Sequence, residues 1–278
     1  MNMTEKFNFG KLRDNTTYNR NISKMQENFE DDWDVYDSSL LGIGNSFFKT
    51  LPSEYTKDLD TKGQKNTEKY GEIFKNYIEN TLNKNQERVA IEFGGPGSKF
   101  FSGFYKGFFK KTIGVCLNDI RFPEEKENDN KINHSILTGD ILDTKNQKLF
   151  NDISEKLDNK KIDLIISRMM GPLEEIKMSP ILLEHIIRKW FSLLSNNGIL
   201  FAQFEYFLEH DPDIQKKRES EINPPEIAES EIYVKKWIEA IQKKYTNEID
   251  IGLGRGVIRI TKKEGAPDEL PPMKELFK

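Results

Sequence analysis

The sequence predicts an α/β fold: a mostly parallel sheet of seven strands with helices on both faces, closed by an antiparallel hairpin near the C-terminus. Three observations carry this expectation. Across residues 67 to 245, stripes of helical period alternate with short apolar runs, the pattern of parallel strands joined by right-handed helical crossovers. The apolar runs themselves, such as Val89-Ala90-Ile91 and Leu164-Ile165-Ile166, do not alternate with polar residues, so they read as strands buried on both faces. Finally, Ile249 to Leu253 and Val257 to Thr261 flank Gly254-Arg255-Gly256, a hairpin signal that adds an antiparallel edge.

Taken in order, residues 1–66 are rich in Asn, Asp, Lys, Thr and Ser and show no sustained period, so an N-terminal extension is expected, its first part disordered. Trp33, Val35, Tyr36, Leu40, Leu41, Phe47 and Phe48 in that arm are expected to dock on something. Packing on the main domain is the plain reading and a lid over a ligand site the sharper one. Tyr70, Ile73, Phe74, Tyr77, Ile78 and Leu82 follow the i, i+3, i+4 rule of an amphipathic helix. It feeds the strand around Val89, which ends at Glu92 and breaks into Gly94-Gly95-Pro96-Gly97. From Ser98 to Lys110 the spacing predicts a helix whose phenylalanines are core. Thr112 to Leu117 is a second buried strand, ending at Asn118-Asp119, with Cys116 a small buried hydrophobe.

A charged loop from Pro123 to Lys131 precedes a third strand at His134 to Leu137, then Thr138-Gly139-Asp140-Ile141. Leu149, Phe150, Ile153 and Leu157 mark a helix, and Ile162 to Ser167 a fourth strand ending at Arg168. Leu183, Ile186, Ile187, Trp190 and Leu194 form the next helical stripe, with His185 a packing residue and Gly198 placed as a C-terminal cap. A strand from Ile199 to Phe204 is followed by a charged, proline-containing insertion, Leu208 to Ser230, and a helix carrying Val234, Trp237, Ile238, Ile241 and Tyr245. The tail beyond Lys262 reads as peripheral. The expected organisation is therefore an extension over 1–66, a cofactor-binding domain over 67–263 and a tail over 264–278.

Composition narrows the function. A net charge of −4 gives no global attraction to phosphate backbones, which disfavours nucleic acid as a partner. The single cysteine excludes an intrachain disulfide framework and a cysteine-rich metal site, and no metal is expected. No apolar run approaches the ~18 residues of a membrane span, so a cytoplasmic protein is expected.

The chemistry rests on the glycine turn. A phosphate-cradling loop requires Gly-Lys-Ser/Thr at its end, whereas Lys99 here stands between Ser98 and Phe100. A dinucleotide fingerprint requires a third small residue where Phe100 stands. A carboxylate two residues before the first glycine suits a loop that wraps a cationic amino acid. The pattern Glu92-x-Gly94-Gly95-Pro96-Gly97 resembles the first motif of class I, Rossmann-like S-adenosylmethionine-dependent methyltransferases, with Pro96 at a usually small position. Asp119 follows Gly97 by 22 residues, near the spacing of about 20 at which an acid meets a ribose. Gly139-Asp140-Ile141 is similar to the family's adenine-binding motif. The likeness covers the segment from Tyr70 to Thr261.

The resemblance implies S-adenosylmethionine as cofactor. Glu92, Gly94, Gly95 and Gly97 would face its methionine part, Asp119 or Asn118 the ribose, Asp140 and Ile141 the adenine, and Ser167 and Arg168 the methyl. The Asp/Asn-Pro-Pro-Tyr/Phe motif of members that methylate nucleic-acid bases is absent after the fourth strand. Arg168 stands there as a candidate for an anionic group or a structural ion pair. Glu205, Tyr206 and His210 are weak candidates for a base. A small-molecule acceptor is favoured and a protein acceptor stays open. Two other readings remain: a nicotinamide-dependent oxidoreductase, and a non-catalytic scaffold that kept the fold.

Overall fold

The computed structural model describes residues 39–57, 67–119, 121, 123–141, 147–168, 180–203, 225–254 and 257–276. Its strands are β1 (Val89–Phe93), β2 (Lys111–Cys116), β3 (His134–Thr138), β4 (Ile162–Arg168), β5 (Leu194–Gln203), β6 (Ile249–Gly254) and β7 (Val257–Lys262). They form one seven-stranded sheet in the order β3-β2-β1-β4-β5-β7-β6. Strands β1 to β5 run parallel, while β7 pairs antiparallel with both β5 and β6. This is the mostly parallel α/β sheet that the sequence predicts, with its antiparallel C-terminal hairpin.

Alternation along the strands divides the core between two faces. Val89, Ile91 and Phe93 of β1 face one apolar layer together with Ile165 of β4 and Leu200 of β5. That layer is completed by α6 (Gln147–Lys156), α7 (Pro180–Leu193) and α8 (Pro225–Lys244). Ala90, Leu164, Ile166 and Phe201 face the other layer, which includes α1 (Leu40–Phe47) and α3 (Thr67–Thr81).

The segment around α1 is fixed to the sheet edge by a buried cation. Arg259 of β7, 2% exposed, donates from Nε to the Thr50 carbonyl at 2.7 Å and from Nη1 to Asp250 Oδ2 at 2.7 Å. Nη1 also reaches Thr261 Oγ1 and the Tyr77 hydroxyl, so α3, β6 and β7 each contribute an acceptor. The chain at Thr50 lies so close that a Cβ on Gly252 would sit 1.9 Å from the Thr50 oxygen.

Several local expectations are corrected. The helix expected over Ser98–Lys110 is a single turn, α4 (Ser98–Phe101), because Gly103 offers weak helix propensity and Gly107 takes φ +84°, which ends any regular continuation. Its phenylalanines are nonetheless core, all buried. The charged stretch after Pro123 is not a loop but α5 (Pro123–Lys131), a helix started by proline at its first position. Gly198 does not cap α7, which ends at Leu193; it follows the left-handed Asn197 (φ 64°) within β5. Gly198 is needed for space, since a Cβ there would lie 2.9 Å from the Ile162 oxygen. The helix α8 begins at Pro225, inside the stretch read as an insertion. The tail is not peripheral: Leu270 and Met273 are fully buried, Trp237 Nε1 donates to the Pro271 carbonyl at 2.9 Å, and Glu184 accepts from the Met273 amide. None of the described helices is long and apolar enough to cross a membrane.

Candidate functional site

The carboxyl ends of β1, β2, β3 and β4 lie side by side along one edge, about 4.8 Å from strand to strand. The chain leaves β1 toward β2 and β3, then returns to β4 on the other side of β1, so β1 and β4 bound the crevice in which open α/β sheets hold ligands. At this junction Gly94 takes φ 86°, a conformation costly for other residues, and the loop turns back over β2. Its amide donates to the Val115 carbonyl at 2.8 Å. A Cβ on Gly94 would meet the Arg168 carbonyl at 3.3 Å and Ile141 Cδ1 at 3.4 Å. Three sequence-predicted positions, one each from the ends of β1, β3 and β4, thus meet at a single point.

Glu92 and Arg168 form an ion pair across that point. Both are buried, with side chains 0% and 7% exposed. Arg168 Nε donates to Glu92 Oε1 at 2.8 Å and Nη2 donates to the same oxygen. Glu92 Oε2 and Ser167 Oγ are buried side-chain atoms with no hydrogen-bond partner among the described residues. Each orphaned buried acceptor costs about 1–3 kcal/mol unless a ligand or water supplies a donor. Glu92 therefore does not stand as a lone carboxylate. One oxygen is held by Arg168 and the other is buried and unmatched.

The end of β2 carries a second charged group. Both Asp119 oxygens accept from Arg121, Oδ1 from Nε and Oδ2 from Nη2, each at 2.9 Å. The Arg121 hydrogen bonds hold the Asp119 carboxyl down to about 2, so it is ionised at neutral pH. Arg121 also donates from Nη1 to Asp129 Oδ2 at 2.7 Å, and Asp129, 2% exposed, accepts from Ser98 Oγ at 2.6 Å. A chain of polar contacts thus joins the glycine loop to Asp119. In the sequence the signal for Arg121 is its place two residues after an acid at the end of a buried strand. Cys116 donates its S–H to the Asn118 carbonyl, and burial pushes its thiol up to about 12, so it is no nucleophile.

Asp140 is half-buried at the end of β3, and Ile141, 6% exposed, packs toward Gly94. Gly95 bridges to Val115, and Gly97 takes φ 74° at the start of α4. His185 is half-buried in the middle of α7. Glu205, Tyr206 and His210 lie outside the described residues. Among the described residues, no group of three or more His, Cys, Asp or Glu could hold a metal ion.

No family model matches this chain, and no curated protein matches it. Among solved structures, it is similar to the MycE methyltransferase from the mycinamycin biosynthetic pathway, solved with Mg and SAH: 15% identity, 82% of this chain and 55% of that one, TM-score 0.44. This chain spans about half the length of that enzyme. It is also similar to the N-methyltransferase NodS from Bradyrhizobium japonicum WM9: 10% identity, 68% of this chain and 94% of that one, TM-score 0.35. TrmN from Thermus thermophilus matches at 11% identity over 69% of this chain and 48% of that one, TM-score 0.36.

Proposed function

We propose that this chain binds S-adenosylmethionine at the carboxyl edge of β1 to β4 and transfers its methyl group to a small-molecule acceptor. The observation that carries the reading is the meeting of Gly94, Ile141 and the Arg168 carbonyl at the β1/β4 crevice, beside a buried Glu92 oxygen without a partner. The donor set fits the cofactor. Glu92 Oε2 would accept from the methionine ammonium, while Arg168 holds the other oxygen and fixes the carboxylate's orientation. Gly94 would let the ligand approach the main chain. Asp119, or Asn118 beside it, would accept from the ribose hydroxyls, since a carboxylate oxygen bonded to Arg121 keeps a further lone pair. Asp140 would accept from the adenine amine and Ile141 would cover the ring. The working unit is residues 67–263 together with the segments 39–57 and 264–276 that complete its core.

When bound, the cofactor supplies a methyl on a positively charged sulfur that is already an activated leaving group. The chain's own part is then to hold the acceptor atom in line and exclude water, a contribution that positioning alone can make large. Ser167 and Arg168, at the end of β4, would border the methyl, and no general base is assigned.

The test is methyl transfer from radiolabelled S-adenosylmethionine to fractionated cell extract. Label in the small-molecule fraction is the expected result. Label confined to protein or RNA would overturn the acceptor class. Binding of the cofactor with no label in any fraction would favour the non-catalytic scaffold.

A further inference from the structure

The glycine loop is seated by a histidine that the proposed chemistry does not use. His134, at the start of β3, is 5% exposed, and both ring nitrogens are engaged: Nε2 lies 2.6 Å from the Pro96 carbonyl oxygen and Nδ1 lies 2.7 Å from Thr112 Oγ1. A carbonyl oxygen only accepts, so Nε2 carries the proton. In the neutral ring Nδ1 is then an acceptor, and the Thr112 hydroxyl donates to it. Burial lowers the affinity of this imidazole for a second proton, in keeping with that assignment. The Pro96 carbonyl thus fixes the tautomer, and the Thr112 hydroxyl, able to donate or accept, complements it. The fit is close on every side. The position of a Cβ on Gly97 lies 3.2 Å from His134 Cε1, the Phe101 ring lies 5.7 Å from the imidazole, and the Pro96 oxygen rests over Gly114.

We infer that His134 is a positioning residue for ligand binding at the glycine loop, holding Pro96 so that Gly94 to Gly97 keep their ligand-ready conformation. This deepens the proposed function and rests on it only for the identity of the ligand. The proline that departs from the family pattern contributes no amide hydrogen of its own, so its carbonyl is the polar handle available at that position. The handle is taken by a side chain 38 residues away.

Two substitutions separate positioning from mere packing. His134→Gln places an amide N–H near the position of Nε2 and can still donate to Pro96. His134→Asn places its amide near Nδ1, where it can meet Thr112 but cannot reach Pro96. With S-adenosylhomocysteine as the probe, the Gln variant is expected within about twofold of wild type. The Asn variant is expected about tenfold weaker, the worth of one buried hydrogen bond. Amide hydrogen exchange over residues 94–98 should quicken in the Asn variant alone. Equal affinity and equal exchange in the two variants would overturn the assignment, as would a Gln variant as impaired as Asn. The exchange arm requires no ligand. A wild-type protein that ignores the probe would overturn the proposed function and leave exchange to decide the role of His134.

Discussion

Replacing Gly114 with alanine is the sharpest perturbation of the loop's seat. A Cβ at this position would lie 2.1 Å from the Pro96 oxygen, 2.4 Å from the Pro96 carbonyl carbon and 2.8 Å from Ile136 Cδ1. Ile136 is a flexible side-chain tip and can turn away, but Pro96 is backbone. To regain ordinary contact the loop must retreat by about 1 Å, which stretches the 2.6 Å bond from His134 past useful length. Overpacking of this kind costs about 1–3 kcal/mol, and the lost hydrogen bond adds about 1. At about 2–4 °C per kcal/mol for a domain of this size, the melting temperature should fall by roughly 5–15 °C. Scanning calorimetry measures that shift, and a titration with S-adenosylhomocysteine on the same sample should show affinity reduced on the order of tenfold. Melting within about 1 °C of wild type together with unchanged affinity would refute the claim that β2 seats the loop.

Three further perturbations follow from the same geometry. Arg168→Met leaves the fully buried Glu92 carboxylate without its counter-ion and should cost about 3–5 kcal/mol in urea unfolding, most of it recovered in the double variant Glu92→Leu/Arg168→Met. Equal stability of single and double variants would contradict the pairing. Arg259→Met removes the donors that hold Thr50 and should raise the rate of limited proteolysis between residues 39 and 57, and an unchanged digest would show that apolar contacts alone dock this segment. The third concerns acid. Burial, helped by the Arg121 charge, holds His134 below its ordinary value of 6.5, against the pull of Asp129 and Asp119. A depressed folded value means the unfolded chain takes up the proton first. This contribution to stability is therefore complete above about pH 6.5 and is lost as pH falls toward the folded value. Melting temperature against pH should decline below that point in wild type and less steeply in His134→Gln, and superimposable profiles would contradict it.

The sheet was legible because its signal is local. Val89 to Ile91 or Leu164 to Ile166 can be read as buried strands without knowing their neighbours, and the glycine turn after Glu92 marks its own place at a strand end. Elements without an apolar period were not legible. The helix α5 is rich in charged residues, and it buries Asp129, whose partners Ser98 and Arg121 are polar as well. The converse holds after Ser98, where the spacing of five phenylalanines predicts a helix but Gly103 and Gly107 break it, leaving the rings to pack in an irregular aromatic cluster. At the candidate site the residues were nameable but their partnerships were not. Glu92 and Arg168 are 76 residues apart, and nothing in either stretch announces the other. In the sequence His134 reads as the first residue of a strand, since a ring proton given to the Pro96 carbonyl and a Thr112 hydroxyl turned to the other nitrogen leave no trace in spacing.

The proposed seat of S-adenosylmethionine is the edge of β1 to β4. Calorimetric titration of the wild-type protein with that cofactor, and with a nicotinamide dinucleotide as control, tests it most directly. Saturable one-to-one binding of the sulfonium is expected, with no heat from the dinucleotide. Binding of the dinucleotide instead would return the glycine loop to oxidoreductase chemistry, and binding of neither would leave the Glu92–Arg168 pair a structural device and contradict the proposed function.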